Sequence, residues 1–254
     1  MKGGCVLMKT YKTSEVAQII GIHPNTVRLY EEWGFIPKPE RQENGYRVFT
    51  DLHILQIGLA RAAFQIEFVQ GGLRKKIVEM VKISAKGDFD GAMILTKEYL
   101  QQLGRERDNA EEAIQIVTEI LSGAEEGNMV SMRRKEASQH LGVSMDALRN
   151  WEMNGLLTVK RKKNGYRVYT DGDIRRLKII RSLRRANYSL EAILRLLQQI
   201  AENPHADVKA VLNTPKETDE IISVCDRQIV SLQEAEKNAY KILDMLQEMK
   251  NRFS

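Results

Sequence analysis

Cations carry most of the chemistry this chain could do. Residues 131–187 hold fifteen Lys or Arg against five Asp or Glu, whereas residues 9–65 hold seven against six, 66–130 eight against twelve and 188–254 eight against eleven. A concentrated basic face is what a polyphosphate partner requires, and a solvated charged surface is the alternative reading. Other chemistries lack the necessary spacing. The four histidines (His23, His53, His140, His205) and two cysteines (Cys5, Cys225) are scattered, so no zinc module, disulfide scaffold or cofactor site is expected. There is no clustered set of His, Cys or carboxylates, and the lone Gly71-Gly72 pair does not make a phosphate loop, so no enzyme is expected.

The basic residues fall in a repeat. The octapeptide NGYRVFTD (residues 44–51) returns as NGYRVYTD (164–171), with one exchange, Phe49 for Tyr169. The similarity runs upstream, where residues 14–35 lie against 135–156 and pair Gly21 with Gly142, Arg28 with Arg149, Glu31 with Glu152 and Gly34 with Gly155. The register is 121 upstream (Gly21 to Gly142) and 120 in the octapeptide (Asn44 to Asn164), so the second copy is one residue shorter between Gly155 and Asn164. A repeat that extends both ways marks a duplicated structural unit.

The elements that must position these residues follow from local pattern. Val16, Ala17, Ile19 and Ile20 predict a short helix ending at Gly21, a residue suited to the left-handed conformation after a helix end. A second helix runs over HPNTVRLYEEWG, with Pro24 at an early position where its missing N–H does no harm. In the second copy Ser144 is a good N-cap for that helix. Two short helices across a Gly turn read as a helix-turn-helix. Beyond Gly34, Asn44-Gly45 favours a tight hairpin turn and Tyr46, Val48 and Phe49 favour strand, which gives a small β wing.

This order (helix-turn-helix, LYEEWGFIPKPER, NGYRVFTD, then an apolar-periodic helix) resembles the DNA-binding domain of MerR-family bacterial transcription regulators. The resemblance covers roughly 65 residues in each copy. In the second copy it continues into RRANYSLEAILRLL; in the first, IEFVQGGLRKKIVEM matches that segment poorly at residues 69–72. The resemblance implies DNA contacts by the second helix and the wing, with base edges read in the major groove and phosphates held around it. On that helix it points to Pro24, Asn25, Arg28 and Tyr30, and to Met145, Asp146, Arg149 and Trp151. A helix-surface pair of Arg28 with Glu31 or Glu32, and core packing of Trp151, are the alternatives. In the wings it points to Arg41, Asn44, Tyr46 and Arg47, and to Lys160, Arg161, Lys162, Lys163, Tyr166 and Arg167. Tyr46 and Tyr166 also read as packing residues.

Each copy is followed by a helix with a coiled-coil spacing. The first seam reads Leu100, Leu103, Arg107, Ala110, Ile114, Val117, Leu121; the second reads Ile222, Cys225, Ile229, Leu232, Glu236, Ala239, Leu243, Leu246. The resemblance implies that such helices pair antiparallel, so one chain could supply both halves of a dimer; a homodimer is the alternative. Some metal sensors of the family place a ligand near Cys225, which here lies in the apolar seam without a partner Cys and reads as a packing residue.

The expected fold is mostly α, with tandem winged helix-turn-helix domains over 9–85 and 130–202 and long coiled-coil-type helices over 94–122 and 216–251. The expected function is sequence-specific transcription regulation at an asymmetric promoter site, with distortion of the DNA and RNA polymerase as a second partner. An architectural or chromosome-anchoring DNA-binding protein is the alternative. No window approaches the eighteen or so apolar residues of a membrane span and the apolar stretch in MKGGCVLMK is far too short for a signal peptide, so a cytoplasmic location is expected.

Overall fold

The computed structural model describes residues 9–65, 72–123, 131–159, 167–214 and 227–253. The chain is mostly helical and forms two compact units, Met1–Leu103 with Glu234–Ser254, and Gly104–Gln233. No described helix is long and apolar enough to cross a membrane.

In the first unit β1 (Thr10–Tyr11), α1 (Thr13–Ile20) and α2 (Pro24–Glu32) precede the wing strands β2 (Glu40–Arg41) and β3 (Arg47–Thr50). They lead into α3 (Asp51–Phe64) and α4 (Leu73–Ala85). The three strands form an antiparallel sheet in the order β1-β3-β2, with Tyr11 opposite Phe49 and Arg41 opposite Arg47. The turn between α1 and α2 depends on Gly21 at φ 71°, where Ile22 N donates to Ala17 O at 2.9 Å. A side chain at that φ would be strained. The core joins Val16, Ala17, Val27, Ile36, Phe49 and Ile57.

The second unit repeats this with α6 (Arg134–Leu141), α7 (Met145–Met153), α8 (Asp171–Arg185) and α9 (Leu190–Glu202). Gly142 takes φ 60° and Val143 N donates to Ser138 O at 3.1 Å, the same turn 121 residues on. Ala137, Leu148, Leu157, Tyr169 and Leu177 are buried at the positions of Val16, Val27, Ile36, Phe49 and Ile57, so one apolar pattern builds both cores. The paired backbone bonds of Met132 and Tyr169 stand where Tyr11 meets Phe49. The remainder of the second wing, with Lys160, Arg161, Lys162, Lys163 and Tyr166, lies outside the described residues. A short helix, α10 (Val208–Asn213), follows α9.

The long helices α5 (Phe89–Ser122) and α11 (Gln228–Phe253) are each shared between the units. In the first unit the end of α11 reaches the first copy, where Lys250 pairs with Asp90 at 2.6 Å and Arg252 with Asp51 at 2.7 Å. In the second unit Ala110, Ala113 and Val117 of α5 enter the core of the second copy, and Arg175 of α8 donates to Leu121 O at 3.1 Å and Gly123 O at 3.0 Å. Arg175 thus satisfies carbonyls that the end of α5 leaves open.

The buried stripes of these helices differ from the expected seams by one residue in places. In α5, Tyr99 is buried in place of Leu100 and Ala113 in place of Ile114. In α11 the stripe runs Ile229, Leu232, Ala235, Ala239, Ile242, Leu246, Met249, so Ala235 and Ile242 replace Glu236 and Leu243. The shift keeps the Glu236 carboxylate out of the apolar interior, where an ionised group is costly. Ile222 and Cys225 lie outside the described residues.

Candidate nucleic-acid interface

Each reading helix begins on a cap that sets its first turn. His23 Nδ1 accepts from Asn25 N at 3.2 Å in α2, and Ser144 Oγ accepts from Ala147 N at 3.0 Å in α7. Val27 of α2, and Leu148 with Trp151 of α7, face the core. The opposite face presents Asn25, Arg28 and Leu29 in α2 and Met145, Asp146, Arg149 and Asn150 in α7, all exposed, with Pro24 half-buried. Arg28 Nη1 donates to Asn25 Oδ1 at 3.0 Å. Arg28 and Arg149 thus hold equivalent exposed positions on the two helices.

Glu31 is used elsewhere. Its carboxylate pairs with Arg47 of the wing and lies 4.0 Å from Arg41. Glu152 accepts from Arg134 at 2.8 and 3.0 Å, from Arg167 at 2.7 Å and from the Tyr169 hydroxyl at 2.5 Å. In both copies, then, the octapeptide arginine is tied to the reading helix through a glutamate. The carboxylates are only about a tenth exposed (11% and 10%), and the arginines are a quarter to a third exposed. Such charge-assisted bonds fix the geometry of wing against helix. Arg47 and Arg167 are candidate site residues from the sequence, whereas Glu31, Glu152 and Arg134 are not; the register that pairs Glu31 with Glu152 and Arg47 with Arg167 carries the signal for the clamp. Arg134 stands at the position of Thr13, so its contribution belongs to the second copy alone.

The first wing presents Tyr46, 71% exposed, beside a turn in which Asn44 Oδ1 accepts from Tyr46 N at 3.1 Å. Arg41 Nη1 donates to Gly45 O at 3.3 Å, and its side chain is half exposed. Between wing and helices runs a groove of about 780 Å³ lined by Lys12, Thr13, Pro24, Arg28, Tyr46 and Arg47, among others. The N-termini of α1 and α2 both open onto it, which favours anionic groups there.

The two aromatic candidates are less accessible. Trp151 is 6% exposed within the second core, so its indole offers little surface to a nucleic acid. Tyr30 is half-buried and packs 5.8 Å from Phe35 and 6.5 Å from Trp33, and burial raises its pKa.

Much of the positive charge in the second copy serves the fold. Arg181 Nη1 donates to Leu141 O at 2.6 Å, as Arg61 Nη1 does to Ile20 O at 2.6 Å, each closing the end of the first helix of its motif. Arg176 Nε donates to Leu156 O at 2.6 Å, where Gln56 Nε2 reaches Phe35 O at 3.0 Å in the first copy. Arg184 Nη1 donates to Tyr188 O at 2.6 Å. Among the described residues no group of three His, Cys, Asp or Glu could hold a metal ion.

A family model described as MerR family regulatory protein matches residues 12–49, and one described as MerR HTH family regulatory protein matches 132–200. Over 55 residues the chain is 44% identical to the HTH-type transcriptional regulator CueR of Escherichia coli O6:H1, covering 22% of this chain and 41% of that protein. It is 35% identical over 102 residues to heavy metal-dependent transcription regulator 2 of Rhizobium meliloti, covering 39% and 65%. It is 28% identical over 76 residues to the mercuric resistance operon regulatory protein of Bacillus cereus, covering 30% and 58%. The chain thus spans between two fifths and two thirds of these relatives. No solved structure matches it.

Proposed function

Since this chain carries two domains of the MerR family, we propose that it is a sequence-specific DNA-binding transcription regulator that reads an asymmetric promoter site. The carrying observation is that the same clamp, Glu31 with Arg47 and Glu152 with Arg167, supports two reading helices with different outward residues. A wing arginine held to a reading helix in each copy suits a double-stranded partner, and unequal readers suit an unequal site. The protein acts by binding, at the promoter and beside RNA polymerase in the cytoplasm, and distortion of the DNA between promoter elements is its means of control. Pro24, Asn25, Arg28, Arg41, Asn44, Tyr46, Arg47, Met145, Asp146, Arg149, Lys160, Arg161, Lys162, Lys163, Tyr166 and Arg167 form the contact set.

The assembly proposed is an intramolecular pseudo-dimer. The core of the second copy takes in Ala110, Ala113 and Val117 of the helix that follows the first copy, and within the first unit Arg252 of the helix that follows the second copy pairs with Asp51 of α3. A homodimer would draw these contacts from a second chain.

Selection of bound sequences from random DNA tests the function. A regulator prefers its site over random DNA by about a thousand-fold or more. A preference near unity would favour an architectural DNA-binding protein instead.

A further inference from the structure

We propose that Asp146 reads a base, selecting cytosine in the half of the site contacted by α7. The inference rests on the reading of the chain as a sequence-specific DNA-binding protein, and it concerns a position where the copies differ in chemistry.

The register places Asp146 on Asn25 and Arg149 on Arg28. In the first copy the Asn25 Oδ1 accepts from Arg28 Nη1 at 3.0 Å, so the pair turns mainly N–H donors outward. Donors suit the O6 and N7 acceptors of guanine. In the second copy Asp146 offers acceptors alone. It is exposed on the outward face of α7, in the first turn, next to Met145, which is 51% exposed. A phosphate would repel a carboxylate there, whereas the major groove presents two kinds of amino donor, cytosine N4 and adenine N6. Adenine places its N7 acceptor beside N6, opposite the second carboxylate oxygen. Cytosine has no acceptor beside N4 on that edge and is the better partner. The guanine paired with it lies across the groove, within the chemistry of Arg149.

An acidic residue in the first turn also stabilises any helix through the macrodipole, so a purely structural role must be an outcome of the test. The test is selection from random DNA with the full chain, followed by affinities for sites carrying each of the four bases at every position of the half assigned to α7. Cytosine should be preferred about ten-fold at one position by the unaltered protein. Asp146→Ala should bring the four bases at that position nearly level. Asp146→Asn should move the preference to adenine, whose N6 and N7 an amide can bind together. Asn25→Asp, in the other reader, should leave that position unchanged. These readouts are ratios between sites, so a lowered folded fraction does not alter them. A base preference unchanged in Asp146→Ala overturns the assignment and leaves Asp146 a helix-stabilising residue, with the regulator reading intact. Failure of the unaltered protein to select any site overturns the regulator reading and this assignment with it.

Discussion

Tyr169 donates its hydroxyl hydrogen to Glu152 at 2.5 Å, a bond that Phe49 cannot make to Glu31. The single exchange in the repeated octapeptide therefore changes how firmly the wing is held. Removing the hydroxyl by Tyr169→Phe should cost about 1 kcal/mol, because Arg134 and Arg167 still satisfy the carboxylate. Glu152→Ala should cost about 2–3 kcal/mol, since it strands two partly buried arginines and a tyrosine. Urea denaturation measures both; equal losses would mean that the clamp does not act as a network.

His53 should make the first unit sensitive to acid. Its Nδ1 accepts from Thr50 N at 3.0 Å, and burial pushes its pKa below the ordinary 6.5, with Glu31 acting the other way. The folded state therefore disfavours the protonated ring. Stability from this group is present above the unfolded value of about 6.5 and falls as the pH drops through and below it. His53→Gln keeps an acceptor for the cap and removes the titration. Its stability should vary less between about pH 5 and 7 than that of the unaltered protein. Identical pH profiles would show that His53 contributes no linkage.

Arginines that touch DNA should be separable from those that hold the fold. Arg28→Ala and Arg149→Ala should each lower the slope of log affinity against log salt by roughly one, with little change in stability. Arg181→Met should do the reverse, costing about 1–2 kcal/mol by leaving the Leu141 carbonyl without its donor while the slope stays put. A fallen slope in Arg181→Met would place that side chain on a phosphate.

The lysine-rich segment of the second wing should supply much of the remaining salt dependence. Replacing Lys160, Arg161, Lys162 and Lys163 by Ala should flatten the slope more than replacing Lys38 and Arg41. Equal flattening in total would refute this, and a perfect palindrome recovered by selection would refute the asymmetric site.

If the chain is its own pseudo-dimer, mass measurement in dilute solution should find one chain alone and one chain on one operator. Charge reversal at Lys250, which pairs with Asp90 at 2.6 Å, should not produce a dimer. A tight dimer of the unaltered chain would sink the intramolecular reading.

What could be read from the residues was whatever depends on backbone demands. The turns at Gly21 and Gly142 take left-handed φ values of 71° and 60°, which few other residues tolerate, so residue type alone located them. The buried positions Val16, Val27 and Ile57 recur in the second copy as Ala137, Leu148 and Leu177. Facing was not legible. Arg175, Arg176 and Arg181 share a composition signal with DNA-contacting arginines, yet each spends its guanidinium on carbonyls of its own unit. Charge counts report how many cations there are, not what they meet. The seams slipped for a related reason: Tyr99 and Leu100 are adjacent apolar residues, and only tertiary packing chooses which one turns inward.

The exchange of helix ends also sets an order of events during synthesis. The first unit includes Glu234–Ser254 as well as Met1–Leu103. When the ribosome has released α4, the first unit still lacks the segment that carries Lys250 and Arg252, and that segment is made only after the second copy. The second copy, by contrast, emerges after the part of α5 that completes it has already been translated. Loss of the segment after Gln233, by truncation or proteolysis, would therefore damage the unit built on the first copy and leave most of the second unit whole.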